Sequence, residues 1–137
     1  MTSAKSGPGK LHKALKLLDP DIRAKNMRAV RLSLRRKWWL VRQPTQPDPV
    51  FLVGCSRSGT TVTYETLAAS GALLNFGYEI PQFWNGLYGP LNNDWESEAA
   101  GAEQARPEHR KEALCYFYQH LGEGLVLDTT CSNTLRI

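Results

Sequence analysis

Cysteine is scarce in this chain of 137 residues: Cys55, Cys115 and Cys131 form no Cys-x-x-Cys pair and are odd in number, so no disulfide framework is expected and reduced thiols are the default. Histidine is equally thin, and His12, His109 and His120 stand far apart with no ligand spacing; no metal site is expected, and all three read as ordinary surface or interface residues. Long apolar runs are missing too. The longest, residues 38–41 and 50–55, fall far below the ~20 residues that a spanning helix needs. Residues 1–20 lack the apolar core and small-residue cleavage site of a secretory signal, which predicts a cytoplasmic protein, at most peripheral to a membrane. No compositional bias marks the chain as fibrous or disordered: 42% hydrophobic and 22% charged residues are globular values, and the length suits one core.

Acidic residues are nearly absent from one third of the chain. Residues 1–47 hold twelve Lys and Arg against Asp19 and Asp21, a balance of +10, whereas residues 48–137 hold five bases against eleven acids, a balance of −6. A basic arm (1–47, with its Pro-rich linker) therefore precedes an acidic body (48–137). Such an arm meets something anionic, either an external surface or the body itself. Residues 1–9 read as a tail. Leu11, Ala14, Leu15 and Leu18 carry the spacing of a short amphipathic helix. Asp19 then reads as an N-cap with Pro20 at the first position of a second helix, stopped by Pro44, Pro47 and Pro49. Its apolar positions Met27, Val30, Leu34 and Trp38 share one face among Arg28, Arg31, Arg35 and Arg36. That stripe is expected to pack on the core. The other use of the pattern is to lie on an anionic membrane surface through Trp38 and Trp39.

The continuous apolar run Val50, Phe51, Leu52 and Val53 predicts a strand covered on both faces, ended by Gly54. Residues 62–70 read as helix with Gly71 beyond it, residues 73–78 as a second strand, 81–94 as loop, 107–121 as helix and 125–127 as a third strand. The order predicts a three-layer α/β domain with a P-loop-like parallel sheet, whose ligands gather at the carboxyl ends of the strands.

Between the first strand and its helix lies Gly54-Cys55-Ser56-Arg57-Ser58-Gly59-Thr60-Thr61, the place where successive backbone N–H groups and a helix N-terminus form an anion site. The spacing of Gly54 and Gly59 fits the start of a nucleotide-binding GxxxxGK[ST] loop, yet Thr60 stands where the Lys belongs. A Cys-x5-Arg phosphatase loop would require Arg at position 61, which is Thr61. What the segment PVFLVGCSRSGTT resembles is the 5′-phosphosulfate-binding loop of the sulfotransferase superfamily. The resemblance implies that Ser58, Gly59, Thr60 and Thr61 hold the 5′-phosphate of 3′-phosphoadenosine-5′-phosphosulfate as co-substrate. It implies that Arg57 contacts the bridging oxygen and sulfuryl group, stabilising the leaving phosphate without a metal. The residue-level alternative is a Ser/Gly/Thr turn with a surface Arg.

Gly77-Tyr78-Glu79-Ile80-Pro81 is similar to the segment that carries the general base in tyrosylprotein and related sulfotransferases, which assigns that role to Glu79; the alternative is a surface or helix-capping Glu. Leu127 to Ile137 resembles a further family pattern, with Thr129 in place of its Lys and Cys131 in place of its Pro, and Asp128 reads as a structural residue at a strand end. The family's grip on the 3′-phosphate comes later than residue 137. The expectation is therefore the N-terminal part of a sulfotransferase, inactive alone and lacking the strand beside residues 125–127, so that an apolar edge there promotes aggregation. The acceptor is expected to be a small molecule, glycan or peptide with a hydroxyl or amine, and Trp84, Tyr88 and Trp95 suit an aromatic or glycan surface. Two other readings remain: a divergent P-loop nucleotide-binding protein or kinase using Asp128 for Mg²⁺, and a basic-arm protein that binds nucleic acid or an anionic membrane. No specific nucleic acid is expected.

Overall fold

A computed structural model describes residues 19–55, 58–88 and 104–130. The tail and short helix expected in residues 1–18, Arg57, Trp95 and the segment from Cys131 onward lie outside the described residues.

Helix α1 (Pro20–Arg42) starts where local chemistry places it: the Asp19 carboxylate accepts the Asp21 N–H at 2.9 Å and Pro20 occupies the first turn. It ends at Gln43, whose backbone is left-handed (φ 42°) and whose N–H closes on the Trp39 carbonyl at 2.8 Å. Strand β1 (Val50–Phe51), helix α2 (Thr60–Ala68), strand β2 (Leu74–Asn75), helix α3 (Pro81–Leu87), helix α4 (Pro107–Leu121) and strand β3 (Val126–Asp128) follow. The three strands make a parallel sheet in the order β1-β3-β2, with Val50 opposite Leu127, Phe51 opposite Asp128, and Leu74 opposite Val126. The chain is thus a mixed α/β fold around a small parallel sheet. Among the described residues no helix is long and apolar enough to cross a membrane.

The sheet order corrects two expectations. The long apolar run at 50–53 is not the covered strand: β1 is an edge strand, only two residues long, with Val50, Phe51 and Val53 all exposed. The buried strand is β3. Val126, Leu127 and Asp128 are almost fully inaccessible: β3 is the central strand, Val126 packs on Ile80, Ala113 and Phe117, and Asp128 bonds Trp84 and Thr130. Among the described residues β3 is therefore paired on both sides rather than left with the open edge expected beside 125–127, and the outward edges belong to β1 and β2.

Residues 81–87 are helical rather than loop. Pro81 suits the first turn, and Phe83, Trp84 and Leu87 recur on one side, where they pack against Ile80, Ala113, Phe117 and Val126. This burial outweighs the poor helix propensity of Asn85 and Gly86. Helix α2 begins two residues earlier than its apolar pattern suggests, at Thr60.

Helix α4 is the shared wall of two apolar clusters. Ala113 and Phe117 enter the first, against β3 and α3; Leu114 and Cys115 enter the second, against Trp39 of α1. Burial there pushes the Cys115 thiol up from its ordinary value, so it is packed as a small apolar group. Helix α1 presents to this wall a side the sequence pattern did not single out. Trp39 is 5% exposed, the Arg35 guanidinium donates to the carbonyls of Gln119 and His120 at 3.4 Å, and Arg36 pairs with Glu112 at 3.3 Å. Two carbonyls of the last α4 turn thus receive a cation, which is where a helix dipole favours one. The expected packing stripe of Met27, Val30, Leu34 and Trp38 instead faces outward, and Leu34 is 61% exposed.

Candidate functional site

All three strands run the same way, so their carboxyl ends lie on one edge of the sheet, and three chain segments leave from it. β1 leads into the loop at 54–59, β2 into the segment carrying Glu79, and β3 ends on Asp128. Since β3 lies between the other two, the loop and the Glu79 segment start two strand spacings apart, roughly 10 Å.

The loop turns sharply. The Ser58 N–H bonds the Cys55 carbonyl at 3.1 Å, and a Cβ on Gly54 would sit 2.7 Å from Ser58 Oγ and 2.8 Å from Thr60 Cγ2, so a larger residue there would displace those two side chains. Gly59 is the N-cap of α2 with φ 87°, a left-handed backbone that favours glycine, and supplies no side chain to cap the helix. The first N–H groups of α2, from Thr60 onward, have no intrahelical carbonyl to bond. Ser58, Gly59 and Thr61 are exposed and Thr60 is half-buried. Behind them the turn is locked by Thr63, whose N–H and hydroxyl reach the Gly59 carbonyl at 3.1 and 3.2 Å.

The Glu79 segment is held at both ends. On one side the Tyr64 hydroxyl of α2 donates to Asn75 Oδ1 at 2.8 Å and accepts the Gly77 N–H at 3.0 Å, tying the end of β2 to the helix that follows the loop. On the other side the Ile80 N–H donates to Thr130 Oγ1 at 3.0 Å. Thr130 in turn donates from its hydroxyl (2.7 Å) and its N–H (3.0 Å) to Asp128 Oδ1. Asp128 Oδ2 accepts the Trp84 Nε1–H at 2.6 Å. Glu79 therefore sits, exposed, between two anchored points.

These contacts give Asp128 a role. Its carboxylate is 2% exposed and both oxygens accept hydrogen bonds from the chain, so it braces the strand end, Thr130 and α3. Trp84, one of the aromatics assigned to an acceptor surface, is the other half of that brace and packs edge-on against Phe51 and Phe117. Its ring also borders an apolar cleft of about 350 Å³ along β1, lined by Pro49, Phe51, His109 and Ala113 and rimmed by the exposed Arg110–Asp48 pair at 2.6 Å.

Of the residues singled out from the sequence, Ser58, Gly59, Thr60 and Thr61 lie together at the start of α2, and Glu79 lies on the same edge of the sheet. Tyr64, Asn75, Trp84 and Thr130 position these segments without having been singled out for that purpose. Their signal is weak, because a Tyr four residues after a helix start or a Thr two residues after an Asp acquires its partner only through the fold. Among the described residues no group of three or more His, Cys, Asp or Glu side chains is placed to hold a metal ion. His120 is half-buried against the Tyr116 ring, 4.4 Å between centroids; burial, aided by Arg28, lowers its pKa below 6.5. Comparison with models of known families, with characterised proteins and with solved structures found no match.

Proposed function

We propose that the chain carries the donor loop and base of a sulfotransferase, an enzyme that moves a sulfuryl group from 3′-phosphoadenosine-5′-phosphosulfate to a hydroxyl or amine. The observation that supports this reading most is the pairing, on one sheet edge, of a glycine-turned loop opening onto the α2 N-terminus with a carboxylate-bearing segment anchored on both sides. The loop suits a phosphate, since N–H groups and the Ser58, Thr60 and Thr61 hydroxyls are donors with no carboxylate among them. In the reaction the acceptor oxygen or nitrogen attacks sulfur, the bond from sulfur to the bridging oxygen breaks, and the acceptor proton passes to Glu79. The leaving group is adenosine 3′,5′-bisphosphate, whose growing charge falls on Arg57 and the loop donors.

A P-loop kinase reading would need Asp128 to organise Mg²⁺. Both oxygens of that carboxylate already bond Thr130 and Trp84, and the loop lacks its Lys, so the sulfuryl-transfer reading is preferred.

Titration calorimetry with adenosine 3′,5′-bisphosphate against ATP·Mg tests the reading. The bisphosphate is expected to bind more tightly, and Thr60→Val to weaken it by roughly tenfold, the loss of one charge-assisted hydrogen bond. A preference for ATP·Mg would overturn it. In a chain extended past residue 137 to full family length, Glu79→Gln is expected to leave bisphosphate binding unchanged while abolishing transfer from labelled donor, and Arg57→Ala to lower turnover more than donor affinity. Transfer at the wild-type rate by Glu79→Gln would remove Glu79 from the mechanism.

A further inference from the structure

Helix α1 has its amphipathicity turned inside out. The side that meets the body is made by Arg35, Arg36 and Trp39, while Met27, Val30, Leu34, Trp38 and Val41, at i, i+3, i+7, i+11 and i+14, form an apolar stripe that is at least half exposed throughout. The stripe runs for four turns along a helix of 23 residues, about 35 Å long. Where it approaches α4 it borders a groove of about 480 Å³ between Leu34, Trp38, Val41 and Tyr118. A contiguous apolar face of this extent on a helix that already has a packed side calls for a second occupant.

The charges around the stripe select that occupant. Arg23, Arg31, Lys37 and Arg42 are all exposed and each stands one turn from a stripe residue, Arg42 with its guanidinium 5.0 Å from the centre of the Trp38 ring. Across Pro20–Arg42 there are eight bases and one acid, Asp21. Residues 1–18 are poor candidates, because they carry four Lys and no acid. A second copy would bring the same cations to the same flanks. Nucleic acid would pair with the cations but leave the apolar stripe uncovered. A bilayer with anionic headgroups satisfies both features: stripe and Trp38 enter the boundary between headgroups and acyl chains, and the flanking cations meet lipid phosphates and carboxylates. Helix α4 packs on the other side of α1, through Leu114 and Cys115 against Trp39.

We infer that α1 docks the protein flat on an anionic phospholipid surface through the face of Met27, Val30, Leu34, Trp38 and Val41. The inference is independent of the sulfotransferase reading, because no residue of the loop or of the Glu79 segment takes part. Trp39, which the sequence grouped with Trp38 as a membrane anchor, is excluded by its burial against Leu114 and Cys115.

Vesicle flotation of the full chain tests it. The protein is expected to float with phosphatidylcholine vesicles containing about 30% phosphatidylserine, to stay behind with phosphatidylcholine alone, and to be released steeply by salt. Leu34→Glu is expected to lower binding by about tenfold or more with an unchanged melting curve, since Leu34 touches no core cluster. The double variant Arg31→Gln with Lys37→Gln is expected to lose a similar factor while keeping the stripe intact. Equal binding to both vesicle types, or wild-type binding by Leu34→Glu, would overturn the inference. So would a dimer in lipid-free buffer that Leu34→Glu dissolves, which would assign the face to a second copy.

Discussion

Helices α1 and α4 lie against each other, yet they use apolar side chains in opposite ways. Helix α4 buries Ala113, Leu114, Cys115 and Phe117, three of them consecutive, because it is walled on one side by the sheet and α3 and on the other by α1. Helix α1 has the cleaner apolar stripe of the two and buries only Trp39, turning the stripe away from the body. A periodic stripe says that a helix has an apolar face; it does not say which neighbour will cover it. In α1 the decision falls to Arg35 and Arg36, which find carbonyls and a carboxylate on α4.

The sharpest way to break this contrast is to truncate both helices. Phe117→Ala, at 1% exposure between the sheet and α3, is expected to cost about 3 to 5 kcal/mol in denaturant unfolding. Leu34→Ala on α1 should stay within about 0.5 kcal/mol. Equal costs would show that α1 packs through its stripe after all. Next in size, Asp128→Ala removes the acceptor of Thr130 and Trp84 and is expected to cost roughly 2 to 3 kcal/mol, whereas Trp84→Phe, which keeps the ring and deletes one donor, should cost about half as much. If the two variants are equally mild, the brace contributes nothing.

The smallest effect is a pH dependence, and it separates the α4 end from the rest. Burial beside Tyr116, with help from Arg28, lowers the His120 pKa, so the folded protein binds this proton less readily than the unfolded chain. The contribution of neutral His120 is full above 6.5 and is lost as pH falls from there through the lowered folded value. Stability should therefore decline on acidification below that point, and His120→Phe should flatten the decline. An unchanged slope in that variant would place the proton uptake on other groups.

Elements defined by local chemistry were legible from the sequence. Asp19 and Pro20 start α1, Pro107 and Gly122 bracket α4, and Gly54 and Gly59 mark a turn that is crowded at the first and left-handed at the second. Those signals are carried by the residues themselves, through a cap, a missing N–H or a positive φ. Helix α3 was hidden because its support lies in other elements: Phe83 stacks on Tyr116 at 4.1 Å, and Trp84 bonds Asp128. The loop between β1 and α2 could be read as a candidate phosphate-binding turn, but the hydrogen bonds that anchor the Glu79 segment join residues 11 to 50 positions apart.

What the sequence by itself determined was the charge division between arm and body, the starts and ends of α1 and α4, and the glycine turn between β1 and α2. These depend on interactions that close within a few residues. Tertiary structure alone decided that the two-residue β1 lies at an edge while β3 is buried, and that Trp39 rather than Trp38 enters the core. It also made Asp128 a brace for the strand end. Strand order and helix facing follow from a competition between apolar burial and polar pairing among distant segments, which no single stretch of chain records.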